Sequence, residues 1–266
     1  NRVVLSSSGA VEEANHYYPF GGVFASSGNV QPYKYNGKEY DGKKGLNWYD
    51  YDNNASKTMN AHLHVLEAYT LLYQCWKDDG LRKRLKFCAE LFMDRIYDSS
   101  RRHFNLFFDN AWNSLVEMDS YGHDVEAGWL LCEAARVLED RQLMDRANRL
   151  ALDVTDACLV EGLSDKGYMM YEKKGGRTTG HASWWGQIET MIACVNAWQI
   201  SGNDVYLQSA DTVWTFVKDC MIDREYGEWY SDCFDGEPKK DTPKVSMWRC
   251  PYHTVRLGVE IHNRLK

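Results

Sequence analysis

Residues 59–92 read MNAHLHVLEAYTLLYQCWKDDGLRKRLKFCAELF, and two helical periods run through them, one on each side of a turn. Leu63, Leu66, Tyr69, Leu72 and Tyr73 recur at the spacing that places side chains on one helical face. The charged stretch 83–94 does the same with Leu85, Cys88, Leu91 and Phe92. Similar pairs run over 122–139 with 141–159 and over 182–200 with 204–221. A last helix starts near Pro251, where proline suits the first turn. Strand-like excursions at 103–109, 167–172 and 227–232 fall between the pairs. A unit of helix, turn, helix and small hairpin, repeated about every sixty residues, argues for an α/α toroid whose inner helices line a funnel. About seven helices are too few to close a ring of twelve. The expected fold is all-α: an incomplete (α/α)6 barrel with small β-hairpin excursions.

Upstream of this, the composition changes near Asn53. Residues 1–53 hold no cysteine, seven of the twenty glycines, and many Tyr, Ser and Asn. Short apolar runs such as 2–5 alternate with turn clusters at 6–9, 21–22 and 36–37, a hairpin pattern without helical period. Two parts are therefore expected, a short β or irregular segment over 1–53 and the helical domain over 54–266.

The charge balance narrows the function classes. The net charge is −7 and no basic stripe is present, which sets nucleic acid aside as a partner. No apolar run approaches the roughly 18 residues a membrane span needs, and no signal-peptide pattern is visible. None of the eight cysteines forms a CxxC pair, so no metal site is expected and free thiols suit a reducing cytoplasm. Aromatic residues reach 14%, with ten Trp and seventeen Tyr. Such rings either fill a large helical core or stack on the apolar face of a sugar.

Four clusters at or just before helix starts carry the candidate chemistry. The first holds Asn60, His62 and His64; the two histidines are two apart and cannot enter one site together. The second, YGHDVE at 121–126 followed by Trp129, makes His123 and Glu126 neighbours on one face, and likewise Glu126 and Trp129. Asp124 there is expected to cap the helix start. The third, WWGQIE at 184–189, pairs Trp185 with Glu189 one turn on, and the fourth, WRCPYH at 248–253, places His253 just inside a helix. In a repeat array, helix starts of equivalent rank converge on one funnel mouth.

Two resemblances follow from these strings. Residues 16–22 (HYYPFGG), 35–39 (YNGKE) and 45–51 (GLNWYDY) resemble the core-associated end of Rhs/YD-repeat proteins, and a single copy of such a repeat is expected to be a passenger. Residues 57–69 (KTMNAHLHVLEAY), SYGHDVEAGWLL from Ser120, WWGQIE and WRCPYH resemble the cellobiose 2-epimerase family, within the wider N-acylglucosamine 2-epimerase group of (α/α)6 barrels. That resemblance implies that His123 and His253 form an acid/base pair around C2 of the reducing-end sugar. It implies that His64 and Asn60 contact substrate and assist ring opening. Trp129, Trp185 and Trp248 would bind the sugar, and Glu126 and Glu189 would orient the histidines. No cofactor is implied. In the family a helical N-terminal portion supplies the first helices and a substrate-binding arginine; Arg2, Arg82 and Arg84 match none of the motifs. An open apolar side, and with it self-association, is the expected consequence.

The implied reaction is epimerisation at C2 of the reducing-end glucose of a β-1,4-linked disaccharide such as cellobiose. Ring opening exposes a carbonyl, a base removes the C2 proton to give an enediolate, and an acid returns a proton on the other face. An N-acylglucosamine-type monosaccharide epimerase, a glycosidase using Glu126 and Glu189 as its carboxylate pair, and a non-catalytic sugar-binding fragment are the alternatives.

Overall fold

The computed structural model describes residues 2–6, 8, 10–17, 23–27, 40–41, 48–49, 57–246 and 249–266. The chain divides into two compact units, Asn1–Ser56 and Lys57–Lys266.

In the first unit β1 (Arg2–Leu5), β2 (Val11–Tyr17) and β3 (Val23–Ser27) form an antiparallel sheet in chain order. The β1–β2 turn closes where the amide of Ser6 donates to the carbonyl of Ala10 at 2.8 Å and the amide of Ala10 donates back to Ser6 Oγ at 3.0 Å. A second pair joins β4 (Tyr40–Asp41) to β5 (Trp48–Tyr49). Most of the residues behind the Rhs-like resemblance lie outside the described ones.

The second unit is helical. Seven α-helices lie among its described residues: α1 (Met59–Cys75), α2 (Asp79–Leu91), α3 (Tyr121–Leu138), α4 (Arg141–Gly162), α5 (Trp184–Ser201), α6 (Val205–Phe216) and α7 (Tyr252–Arg264). Single π-helical turns, Phe92–Ile96 and Val217–Met221, extend α2 and α6. The odd-numbered helices pack side by side in chain order as an inner layer. Each even-numbered helix lies against the inner helix before it, and α2 and α4 also touch the inner helix after them. Burial follows this layering. Helices α3 and α5 are buried on almost every side, whereas α2, α4 and α6 bury one stripe each. The result is the expected incomplete (α/α) barrel. No helix among the described residues is long and apolar enough to cross a membrane.

Helix starts are set by short polar side chains. The side chains of Thr58, Asp78, Asp140 and Ser183 accept the amides of Ala61, Leu81, Leu143 and Gly186. Helices α3, α6 and α7 have no such side-chain cap, and in α3 the hydroxyl of the N-cap Ser120 is engaged with His123 instead. Asp124 does not cap α3 either. It is fully buried, and its carboxylate accepts His103 Nδ1 at 2.8 Å and the amide of Phe104 at 2.9 Å. Gln187, at the same rank in α5, pairs with the backbone of Met169 through two 2.8 Å bonds. Each thus ties an inner helix to the loop that leaves the preceding outer helix.

The small strands are β6 (Lys57–Thr58), β7 (Tyr97–Asp98), β8 (His103–Phe104), β9 (Phe107–Phe108), β10 (Met118–Asp119), β11 (Glu172–Lys174), β12 (Arg177–Thr179), β13 (His181–Ser183), β14 (Asp232–Phe234) and β15 (Glu237–Pro238). The first excursion lies where the alternation predicts it. The second and third begin later than expected, because Gly167 (φ 86°) and Gly227 (φ 76°) turn the chain first. Only single bridges, Leu163 to Met169 and Ile222 to Trp229, form within 163–172 and 222–231.

Candidate active site

Three inner helices repeat one spacing. Helix α1 carries His64 and Glu67, α3 carries His123 and Glu126, and α7 carries His253 and Arg256, each pair three residues apart. Helix α5 offers Trp185 and Glu189, four apart. Such residues share a helical face one turn from each other. With the four helices side by side, a rim tier of three imidazoles and an indole lies above a deeper tier of three carboxylates and a guanidinium.

In the rim tier, Trp185 stands between two histidines. Its ring centroid is 4.6 Å from that of His123 and 5.9 Å from that of His253, so the imidazoles are no farther apart than those two separations combined. Gly122 makes room for the indole. A Cβ there would come 2.5 Å from Trp185 Cζ3 and 3.2 Å from Gly186 Cα. The two histidines have unlike partners. His123 Nδ1 lies 2.7 Å from Ser120 Oγ, a neutral hydroxyl. Burial pushes the His123 imidazole down to about 4; the charges of His64 and His253 add to this, and Glu126 opposes it. His253 Nδ1 lies 2.7 Å from Glu189 Oε1, a fully buried carboxylate.

His64 is 46% exposed and reaches Glu67 Oε2 at 3.2 Å. Burial would lower its pKa, but that hydrogen bond and the charges of Glu126 and Glu67 outweigh burial and raise it.

The deeper tier converges on Arg256. Its Nη1 donates to Glu126 Oε1 at 2.6 Å and to Glu189 Oε1 at 3.0 Å, and its Nη2 donates to Glu67 Oε1. Tyr252 donates its hydroxyl to Glu67 Oε1 at 2.6 Å, and its ring lies 4.2 Å from the guanidinium. Trp129 donates its indole N–H to Glu189 Oε2 at 2.9 Å. Glu126, Glu189 and His253 hold ligand atoms within 4.8 Å of one another, the spacing of a cation site, and the guanidinium of Arg256 already bridges its two carboxylates.

The expected residues therefore divide. His64, His123, Trp185, Glu126, Glu189 and His253 gather across the four inner helices. Asn60 is exposed in the first turn of α1, and Trp248 lies outside the described residues. Trp129 does not offer its face to a sugar: it is 3% exposed and holds Glu189. Glu126 does not orient His123 by contact, because its hydrogen bond goes to the guanidinium of Arg256, which leaves Ser120 to hold that imidazole. His62 Nδ1 meets the carbonyl of Thr58 at 2.7 Å, on a different side of α1 from His64. Ser120, Glu67, Tyr252 and Arg256 are not among the expected site residues. The signal for two of them was there: Glu67 and Arg256 follow His64 and His253 at the spacing that links His123 to Glu126.

Residues 39–256 match the N-acylglucosamine 2-epimerase (GlcNAc 2-epimerase) family. The chain is 42% identical over 215 residues to a cellobiose 2-epimerase from Bacteroides fragilis, covering 79% of this chain and 54% of that one. It is 34% identical over 210 residues to a cellobiose 2-epimerase from Dictyoglomus turgidum, with the same coverage. Among solved structures, a sugar epimerase from a ruminal bacterium superposes with a TM-score of 0.77 at 36% identity, covering 80% of this chain and 56% of that one. The chain spans about half the length of the curated relatives it matches.

Proposed function

The chain belongs to the N-acylglucosamine 2-epimerase family, and on that footing we propose that it acts as a sugar 2-epimerase on the reducing-end glucose of a β-1,4-linked disaccharide. The observation that carries this reading is the pair of imidazoles flanking Trp185 with unlike partners. Inversion at C2 needs one group to take a proton from one face of the carbon and another to return a proton to the opposite face. His123, held against a hydroxyl and disfavoured as a cation, is suited to be the base. For that role its Nδ1–H donates to Ser120 Oγ and its Nε2 keeps the lone pair. His253 donates Nδ1–H to Glu189, and its Nε2 proton is the one delivered; the positive charge it carries beforehand is offset by the carboxylate.

The steps balance. After ring opening, His123 removes the C2 proton, the C–H electron pair becomes a C1–C2 double bond, and the carbonyl electrons move onto O1. His253 then protonates C2 from the other face, the C1–O1 carbonyl reforms, and the ring closes on the mannose epimer. The reverse reaction exchanges the roles of the two histidines. His64 serves to contact the sugar and assist ring opening, with Asn60 one turn before it on α1 in the same role, and Trp185 serves as the wall on which the sugar rests. The disaccharide is favoured over an N-acylated monosaccharide because relatives at 34–42% identity are named cellobiose 2-epimerases. Incubation of the purified chain with cellobiose tests the reading. The expected product is glucosyl-mannose, separated chromatographically; cellobiose left unchanged at high enzyme concentration counts against it.

A further inference from the structure

Helix α7 buries two arginine side chains, Arg264 at its end and, one turn in from His253, Arg256, which lies in the deeper tier of the site. A cation is an expensive group to bury unless its surroundings are built for it. Here three inner helices each send one carboxylate to it, Glu67 from α1, Glu126 from α3 and Glu189 from α5. The planar fork of an arginine can serve several oxygens at fixed angles, which a lysine cannot. Two of those carboxylates are also the partners of rim histidines, His64 through Glu67 and His253 through Glu189. Trp129 and Tyr252 flank the guanidinium at 5.3 and 4.2 Å and complete its enclosure.

We propose that Arg256 is a positioning residue of the epimerase site, a single clamp that fixes the carboxylates of three inner helices and through them sets the orientation of His253 and His64. The proposal rests on the functional reading above for its kinetic consequence, but not for its geometry. Glu189 is held by Arg256 and Trp129, so the oxygen presented to His253 Nδ1 has one position. Without the guanidinium, two fully buried carboxylates and a third near the surface repel one another, and the support under His253 is lost.

The test uses R256K and R256M in the full chain. R256K keeps the charge but cannot bridge three carboxylates. It is expected to fold and to lose about 10²-fold in kcat, the scale of a misplaced catalytic group, with KM nearly unchanged because Arg256 does not face the sugar. R256M removes the cation that opposes protonation of His64, so the NMR titration of His64 should move upward. A wild-type chain without turnover would defeat the functional reading, and the His64 titration would still decide the role of Arg256. Unchanged kcat in R256K together with an unmoved His64 titration in R256M would overturn the proposal. Failure of R256K as well as R256M to fold would also overturn it, by making Arg256 a structural ion pair alone.

Discussion

At the scale of single residues, the site works by giving like side chains unlike neighbours. The same imidazole meets a hydroxyl at position 123, a carbonyl at 62 and a carboxylate at 64 and 253. The low value of His123 has two consequences for pH. As a base it stays neutral well below the ordinary 6.5, so the acid limb of kcat/KM that it controls should fall near pH 4 rather than near 6.5. The unfolded chain binds the extra proton between those values. The contribution of His123 to stability is therefore intact above about pH 6.5 and lost as pH falls toward 4, and denaturant midpoints for wild type and H123A should converge on acidification. His62→Ala should lower thermal stability but spare kcat, since its ring packs edge-on to Trp112 at 5.2 Å; a kcat loss as large as that of His64→Ala would contradict this. The rim tier was legible in the sequence because its motifs open helices. The deeper tier was less so, since a lone Arg256 and Glu67 on a helix read equally well as solvated charges until packing brings the helices together. Glu126 and Glu189 were named, but as partners of histidines. Their shared bond to one guanidinium also leaves a glycosidase pair without free carboxylates.

At the scale of elements, α3 and α5 meet at their N-terminal ends through glycine. Gly122→Ala forces the Trp185 indole to move, because the contact is to ring atoms wedged between two imidazoles. We predict a destabilisation of about 1–3 kcal/mol by chemical denaturation, the usual cost of overpacking, with a loss of activity larger than stability explains. Thr58→Ala should cost about 1 kcal/mol through the α1 cap and little else. Helix positions followed from the 3.6-residue period to within a turn, α2 starting four residues before the stretch that shows it and α4 ending three residues later than expected. Two of the three hairpins did not. Their place is decided by where glycines at positive φ release the chain, and by buried side chains such as Asp124 and Gln187 that capture loop backbone. A polar residue near a helix start reads as a cap; only the fold shows Asp124 turned inward to His103.

At the scale of the whole molecule, the chain holds a small β unit and a helical unit with its own core. Removing residues 1–53 is expected to leave the melting transition of the helical unit nearly unchanged, and a large drop would make the first unit a structural partner. The helical unit also leaves apolar side chains exposed on α1 and α7, among them Leu71, Leu72, Val255 and Val259. Concentration-dependent association in sedimentation velocity is the expected outcome; a monomer at all concentrations would show that these faces are inert. The helical repeat and its family were legible because four motifs recur at equivalent helix starts. The passenger reading of the first 53 residues rests on resemblance, and most of the residues that carry it lie outside the described ones. Proton transfer at one carbon is the central step. Cellobiose incubated with the chain in D₂O should yield the mannose epimer carrying deuterium at C2, and that label should vanish in both His123→Ala and His253→Ala. Deuterium uptake that survives both substitutions, or epimer formed without label, would contradict it.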